Sequence, residues 1–200
     1  MNPLTSVMGS IITGVVLVVV LLAVIMGQGL QLQDFHIDRW LHIVSGVTWI
    51  GLLYYFNVVQ TPGMAVGAAD AGGPGNAGIA KYIAPRALLW FRWAAVATWV
   101  TGAYYLFSGY GLGFGGLHNA FALQPGFRTI GIGAWLGTIM LFNVWVFIWP
   151  NQKKILGMVP ATDAEKASAR KVALLASRTN FVLSLPMLMC MGGQMHGLAF

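Results

Sequence analysis

The chain has 200 residues, 58% of them hydrophobic and only 8% charged, with a mean hydropathy of +0.73. Soluble domains carry roughly a quarter charged residues and disordered chains are poor in apolar ones, so both classes are excluded. An integral membrane protein is left, and its net charge of +6 reads as a topology signal. It is no nucleic-acid footprint, because the basic residues do not cluster beside exposed aromatics in a soluble segment.

Five apolar stretches are predicted to span, each near the roughly 20 residues that an α-helix needs to cross a hydrocarbon core. They lie at about residues 10–27, 40–60, 86–108, 129–149 and 180–197. The expected fold is therefore all-α, a single integral membrane domain over residues 1–200. The first stretch, SIITGVVLVVVLLAVIMG, lacks a basic leader and a small-residue cleavage site, and is expected to be a retained helix. Gly67–Gly78 (GAADAGGPGNAG) reads as a flexible loop. The uncharged segment GYGLGFGGLHNAFALQPGF is expected to lie against the bilayer or another subunit, and residues 161–176 to form a short amphipathic surface helix. Lys153, Lys154, Lys166, Arg170, Lys171 and Arg178 all fall between the fourth and fifth stretches. Cytoplasmic loops retain such residues, which places the N-terminus in the cytoplasm and the C-terminus in the periplasm of a bacterial inner membrane.

Cys190 is the sole cysteine, so disulfides, thiolate clusters and a c-type haem attached through C-x-x-C-H are excluded. No phosphate-binding loop, no H-E-x-x-H and no intramembrane carboxylate pair is present. The four histidines, His36, His42, His118 and His196, all map to the outer side. His42 and His196 lie on different helices at one depth, the arrangement that transverse ligation of a b-type haem iron requires. Ser45 and Gly46 follow His42 at i+3 and i+4, and Gly192 and Gly193 precede His196 at i−4 and i−3, offering bare helix surface to a porphyrin plate. The same small residues also serve close helix packing. His36, among Asp34, Asp38 and Arg39, reads as part of a solvated anchor, and His118 as a loop residue. Arg92, with Asn143 at comparable depth and Asn57 and Asn180 near the inner ends of the second and fifth stretches, fits either a haem-propionate clamp or a quinone or substrate pocket, or a hydrogen-bonded network with Arg92 snorkelling beside Trp90 and Trp93.

The stretch RWLHIVSGVTWIGLLYYFNVVQTP (Arg39–Pro62) resembles the opening motif of the membrane-bound urate hydroxylase family. YIAPRALLWFRWAAVATWVTGAYYL (Tyr82–Leu106), MLFNVWVFIWPNQKK (Met140–Lys154) and ASRTNFVLSLPMLM (Ala176–Met189) are similar to the same family. The element W-L-H-x(6)-W-I-G alone also resembles copper-resistance membrane proteins and haem-dependent membrane protoporphyrinogen oxidases. The resemblance implies a helical membrane module that oxidises urate and passes electrons through a periplasmic cytochrome c. No C-x-x-C-H motif is present here, so the cytochrome c is expected on a separate chain or in a larger respiratory complex. The leading expectation is a b-type haem electron-transfer subunit. A haem-free accessory subunit and a urate oxidase component are the alternatives.

Overall fold

A computed structural model describes residues 2–29 and 31–198. Among the described residues the structure contains helices and connecting turns but no strand. Six helices carry it: α1 (Val7–Gly27), α2 (Asp34–Ala69), α3 (Ala84–Ser108), α4 (Phe114–Phe121), α5 (Arg128–Ile155) and α6 (Asp163–Gly193). Of these, α1, α2, α5 and α6 are long and apolar enough to cross a membrane. The stretch expected at 86–108 forms α3, which has the length at 25 residues but not the same apolarity, because Arg86 and Arg92 interrupt it.

Two expectations are corrected by the helix boundaries. Residues 161–176 do not form a separate surface helix; they are the first half of α6, a single helix of 31 residues. Its start is fixed by a capping box, in which the Thr162 N–H donates to the Glu165 carboxylate at 2.7 Å and the Glu165 N–H donates to the Thr162 hydroxyl at 3.3 Å. From there neither Gly nor Pro intervenes until Pro186, so nothing stops the helix at the membrane surface. The uncharged outer loop likewise contains a helix, α4, which packs on α3 and α5. The approach is close: a Cβ on Gly116 would collide with the Leu106 carbonyl, and one on Gly131 with that of Ala120.

The bundle is built from two closely packed antiparallel pairs, α2 with α3 and α5 with α6, joined through α3 against α5 and α2 against α6. Trp49, Leu53, Phe91, Met140, Val144 and Met187 form its core. α1 stands apart with no buried residue, and meets the bundle along a shallow groove where Leu17, Leu21 and Trp40 lie together. Both α2 and α5 contain a π-helical turn, at Tyr55–Gln60 and Asn143–Ile148. Such turns release carbonyls from the helical ladder, and in an apolar medium each must find a new donor. Asn57 Nδ2 donates to the Leu53 carbonyl and to the Ser177 hydroxyl, both at 2.9 Å. Asn143 Nδ2 donates to Asn180 Oδ1 at 2.8 Å, and Asn180 Nδ2 to the Met140 carbonyl at 2.9 Å. The three asparagines are thus committed to tying helices together.

Candidate functional site

At the end of the bundle where α2 begins and α6 ends lies a cavity of about 700 Å³, within the range typical of small-molecule and cofactor sites. Its wall is largely apolar, formed by Ile43, Trp49, Trp99, Leu106, Phe121, Ile130 and Met191, and it includes both His42 and His196. The pairing expected from topology alone is therefore one of position in a shared cavity.

The two histidines are held differently. His42 sits one face away from α3, with Nδ1 at 2.8 Å from the Thr98 carbonyl and 3.3 Å from the Thr101 hydroxyl. A carbonyl accepts only, so Nδ1 carries the hydrogen and Nε2 keeps its lone pair. That Nε2 makes no hydrogen bond among the described residues. The ring fits because the residue facing it is a glycine: a Cβ on Gly102 would lie 2.8 Å from His42 Cε1 and 3.1 Å from Nδ1. Fixing one imidazole nitrogen on a carbonyl and presenting the other is the arrangement found around metal-ligating histidines.

His196 is not on α6. The helix ends at Gly193 and His196 follows in a turn, its N–H donating to the Gly193 carbonyl at 3.1 Å. Three hydrogen bonds clamp this turn to the start of α5. Gln194 Oε1 accepts from the Ile130 N–H at 3.0 Å, Gln194 Nε2 donates to the Gly126 carbonyl at 2.9 Å, and the Thr129 hydroxyl donates to the Leu198 carbonyl at 2.6 Å. The helical spacing argued for Gly192 and Gly193 is replaced accordingly. Gly192 lines the cavity with open space where its Cβ would be, whereas Gly193 packs against Leu198. Ser45 and Gly46 are not part of the wall either, and Gly46 faces the Thr98 methyl group at 3.7 Å.

The remaining sequence candidates lie elsewhere. His36 caps α2, its Nδ1 accepting the Gln33 N–H at 3.3 Å. His118 is exposed on α4. Arg92 lies roughly 9 Å along α3 from Thr98, at 1.5 Å per residue, and stacks at 3.8 Å on the Trp149 ring of α5. The cation that lines the cavity is Arg39, three residues before His42. Arg39, Thr98 and Gly102 are the site residues that sequence reasoning passed over. The i, i+3 spacing of Arg39 to His42 was the available signal for the first.

Among the described residues no group of three or more His, Cys, Asp or Glu side chains converges to hold a metal ion. Two imidazoles alone fall short of the three or four ligands of a zinc site. A macrocycle that brings four nitrogens of its own asks the protein for no more than two such ligands. The orphaned N–H of Trp49, buried without a partner, belongs to the same wall.

Residues 115–200 match the family model described as urate oxidase N-terminal. This matched segment runs from α4 through α6 and includes His196, Gln194 and Gly192, while His42, Arg39 and Gly102 lie before it. Of the stretches that resemble the urate hydroxylases, Met140–Lys154 and Ala176–Met189 fall inside the match. No curated protein and no solved structure matches the chain.

Proposed function

We propose that this chain is a b-type haem-binding subunit of a urate-related membrane oxidoreductase, with its site near the periplasmic surface of a bacterial inner membrane. The observation that carries the reading is the shared cavity of His42 and His196, with His42 locked in the tautomer that leaves Nε2 free. The urate oxidase N-terminal match supports the urate connection. Haem supplies one-electron chemistry when bound. His42 and His196 would supply imidazole nitrogens to its iron, Arg39 would pair with its carboxylates, and the apolar wall would keep water from the ring.

In this reading α3 spans with the other four long helices, the N-terminus is cytoplasmic, and electrons leave to a separate periplasmic cytochrome c or a larger complex. Ser45, Gly46, Gly193 and Arg92 then serve helix packing or other roles, since they lie outside the cavity wall. The test is a reduced-minus-oxidised visible spectrum of the purified chain with a pyridine haemochrome assay. Bands of b type are expected. A folded but colourless preparation would exclude the haem reading and favour the alternative, a haem-free accessory subunit. That second reading draws its support from α1, a strongly apolar helix with no buried residue, whose outer surface is free for another subunit.

A further inference from the structure

The charge of the chain is divided between the two ends of the bundle. At the cavity end stand Arg39 and Arg128 with Asp34 and Asp38, which cancel. At the opposite end stand Lys81, Arg86, Arg92, Lys153, Lys154, Lys166, Arg170, Lys171 and Arg178 against Asp70, Asp163 and Glu165, so this end carries the whole +6. The only ion pair among the described residues is Lys166 with Asp163, at a marginal 4.0 Å.

Two of these cations lie over the same indole. The guanidinium carbon of Arg92 lies 3.8 Å from the centroid of the Trp149 ring, and Nζ of Lys153 lies 5.8 Å from the same centroid. Neither has a carboxylate partner among the described residues. Like charges gathered on one indole repel, and Arg92 is set two turns into a helix where an uncompensated cation is costly. The indole face offsets part of that cost. An anion bound beside them would offset the rest.

The surroundings define which anion. Next to Arg92 on α3, Trp90 and Trp93 are 57% and 55% exposed and Leu89 is 44% exposed, and Val146 and Phe147 of α5 are similarly bare. A phosphate at the cations would thus continue directly into an apolar surface suited to acyl chains. We infer that Arg92, Trp149 and Lys153 form a binding site for the phosphate of an anionic phospholipid. The site rests on the membrane-spanning reading and is independent of haem.

The probe is phosphatidylglycerol, added to the full-length protein in mild detergent and read by native mass spectrometry and by the thermal melt. Wild type is expected to retain phosphatidylglycerol and to melt higher in its presence, with phosphatidylcholine and inorganic phosphate giving no such shift. Arg92→Gln with Lys153→Gln is expected to lower retention at least tenfold. Lys171→Gln with Arg178→Gln, which removes the same charge from exposed positions on α6, should leave it within twofold. Lys153→Gln alone, at a half-buried surface position, provides a variant that keeps Arg92 in place and should lower retention severalfold. Equal loss in the two double variants would show diffuse charge attraction and overturn the site. Protection by inorganic phosphate equal to that by lipid would overturn the lipid assignment.

Discussion

His42 is seated by what α3 lacks as much as by what it offers. The Thr98 carbonyl fixes the ring through Nδ1, and the missing side chain of Gly102 gives the ring its room. A side chain at that position must push the imidazole out of its seat. Gly102→Val is therefore expected to lower haem content to the level of His42→Ala while leaving helix content by circular dichroism unchanged. Retention of full haem content would sever the link between the seat and the ligand. That His42 and His196 share one end of the bundle was legible in the order of the apolar stretches, which puts the start of one beside the end of another. Gly102 was not, because its role arises only when α3 packs against α2, and a glycine inside an apolar run is indistinguishable from any other small contact residue. Arg39 was passed over because its acidic neighbours Asp34 and Asp38 mark the same segment as a solvated anchor.

Helix extents follow from local chemistry in some places and from tertiary packing in others. The apolar runs announce α1 and α5 directly, since a bilayer-length stretch without charge has few alternatives. The fusion of residues 161–176 into α6 was written in the Thr162–Glu165 capping box and the breaker-free sequence after it, yet it was obscured by the charges that mark the same segment as a surface loop. α4 was hidden by glycines that read as loop, of which Gly116 is in fact a contact point against Leu106, and Gly131 of α5 meets Ala120 from the other side. Gly131→Val should force these helices apart, destabilise the bundle by roughly 1–3 kcal/mol and lower its melting temperature in detergent. It should also loosen haem, because Phe121 of α4 is part of the cavity wall. On the opposite side of the core, Asn180 is fully buried and joins Asn143 to the Met140 carbonyl. Asn180→Ala is expected to cost about 1 kcal/mol, the scale of interhelical hydrogen bonds in membranes, with the haem spectrum unaltered. A melt indistinguishable from wild type would mean that the π-helical turn of α5 does not need this donor.

Taken as a whole, the molecule separates its tasks along the membrane normal: a cavity with two imidazoles at one end, a packed core in the middle, and unneutralised positive charge at the other. α1 contributes no buried residue to any of the three. Removal of residues 1–29 is accordingly expected to leave a folded bundle that, on the proposed function, still binds haem, measured as haem per protein and as melting temperature. Loss of both would assign α1 a packing role that its exposed faces do not show.

The account turns on the two histidines acting as a pair. The most direct measurement is the visible and electron paramagnetic resonance spectrum of the purified chain beside its His42→Ala and His196→Ala variants, with His36→Ala and His118→Ala as controls. The account predicts a low-spin, six-coordinate b-type signature in wild type and both controls, and its loss or conversion to high spin in each of the first two variants. A low-spin signature surviving unchanged in either His42→Ala or His196→Ala would contradict it.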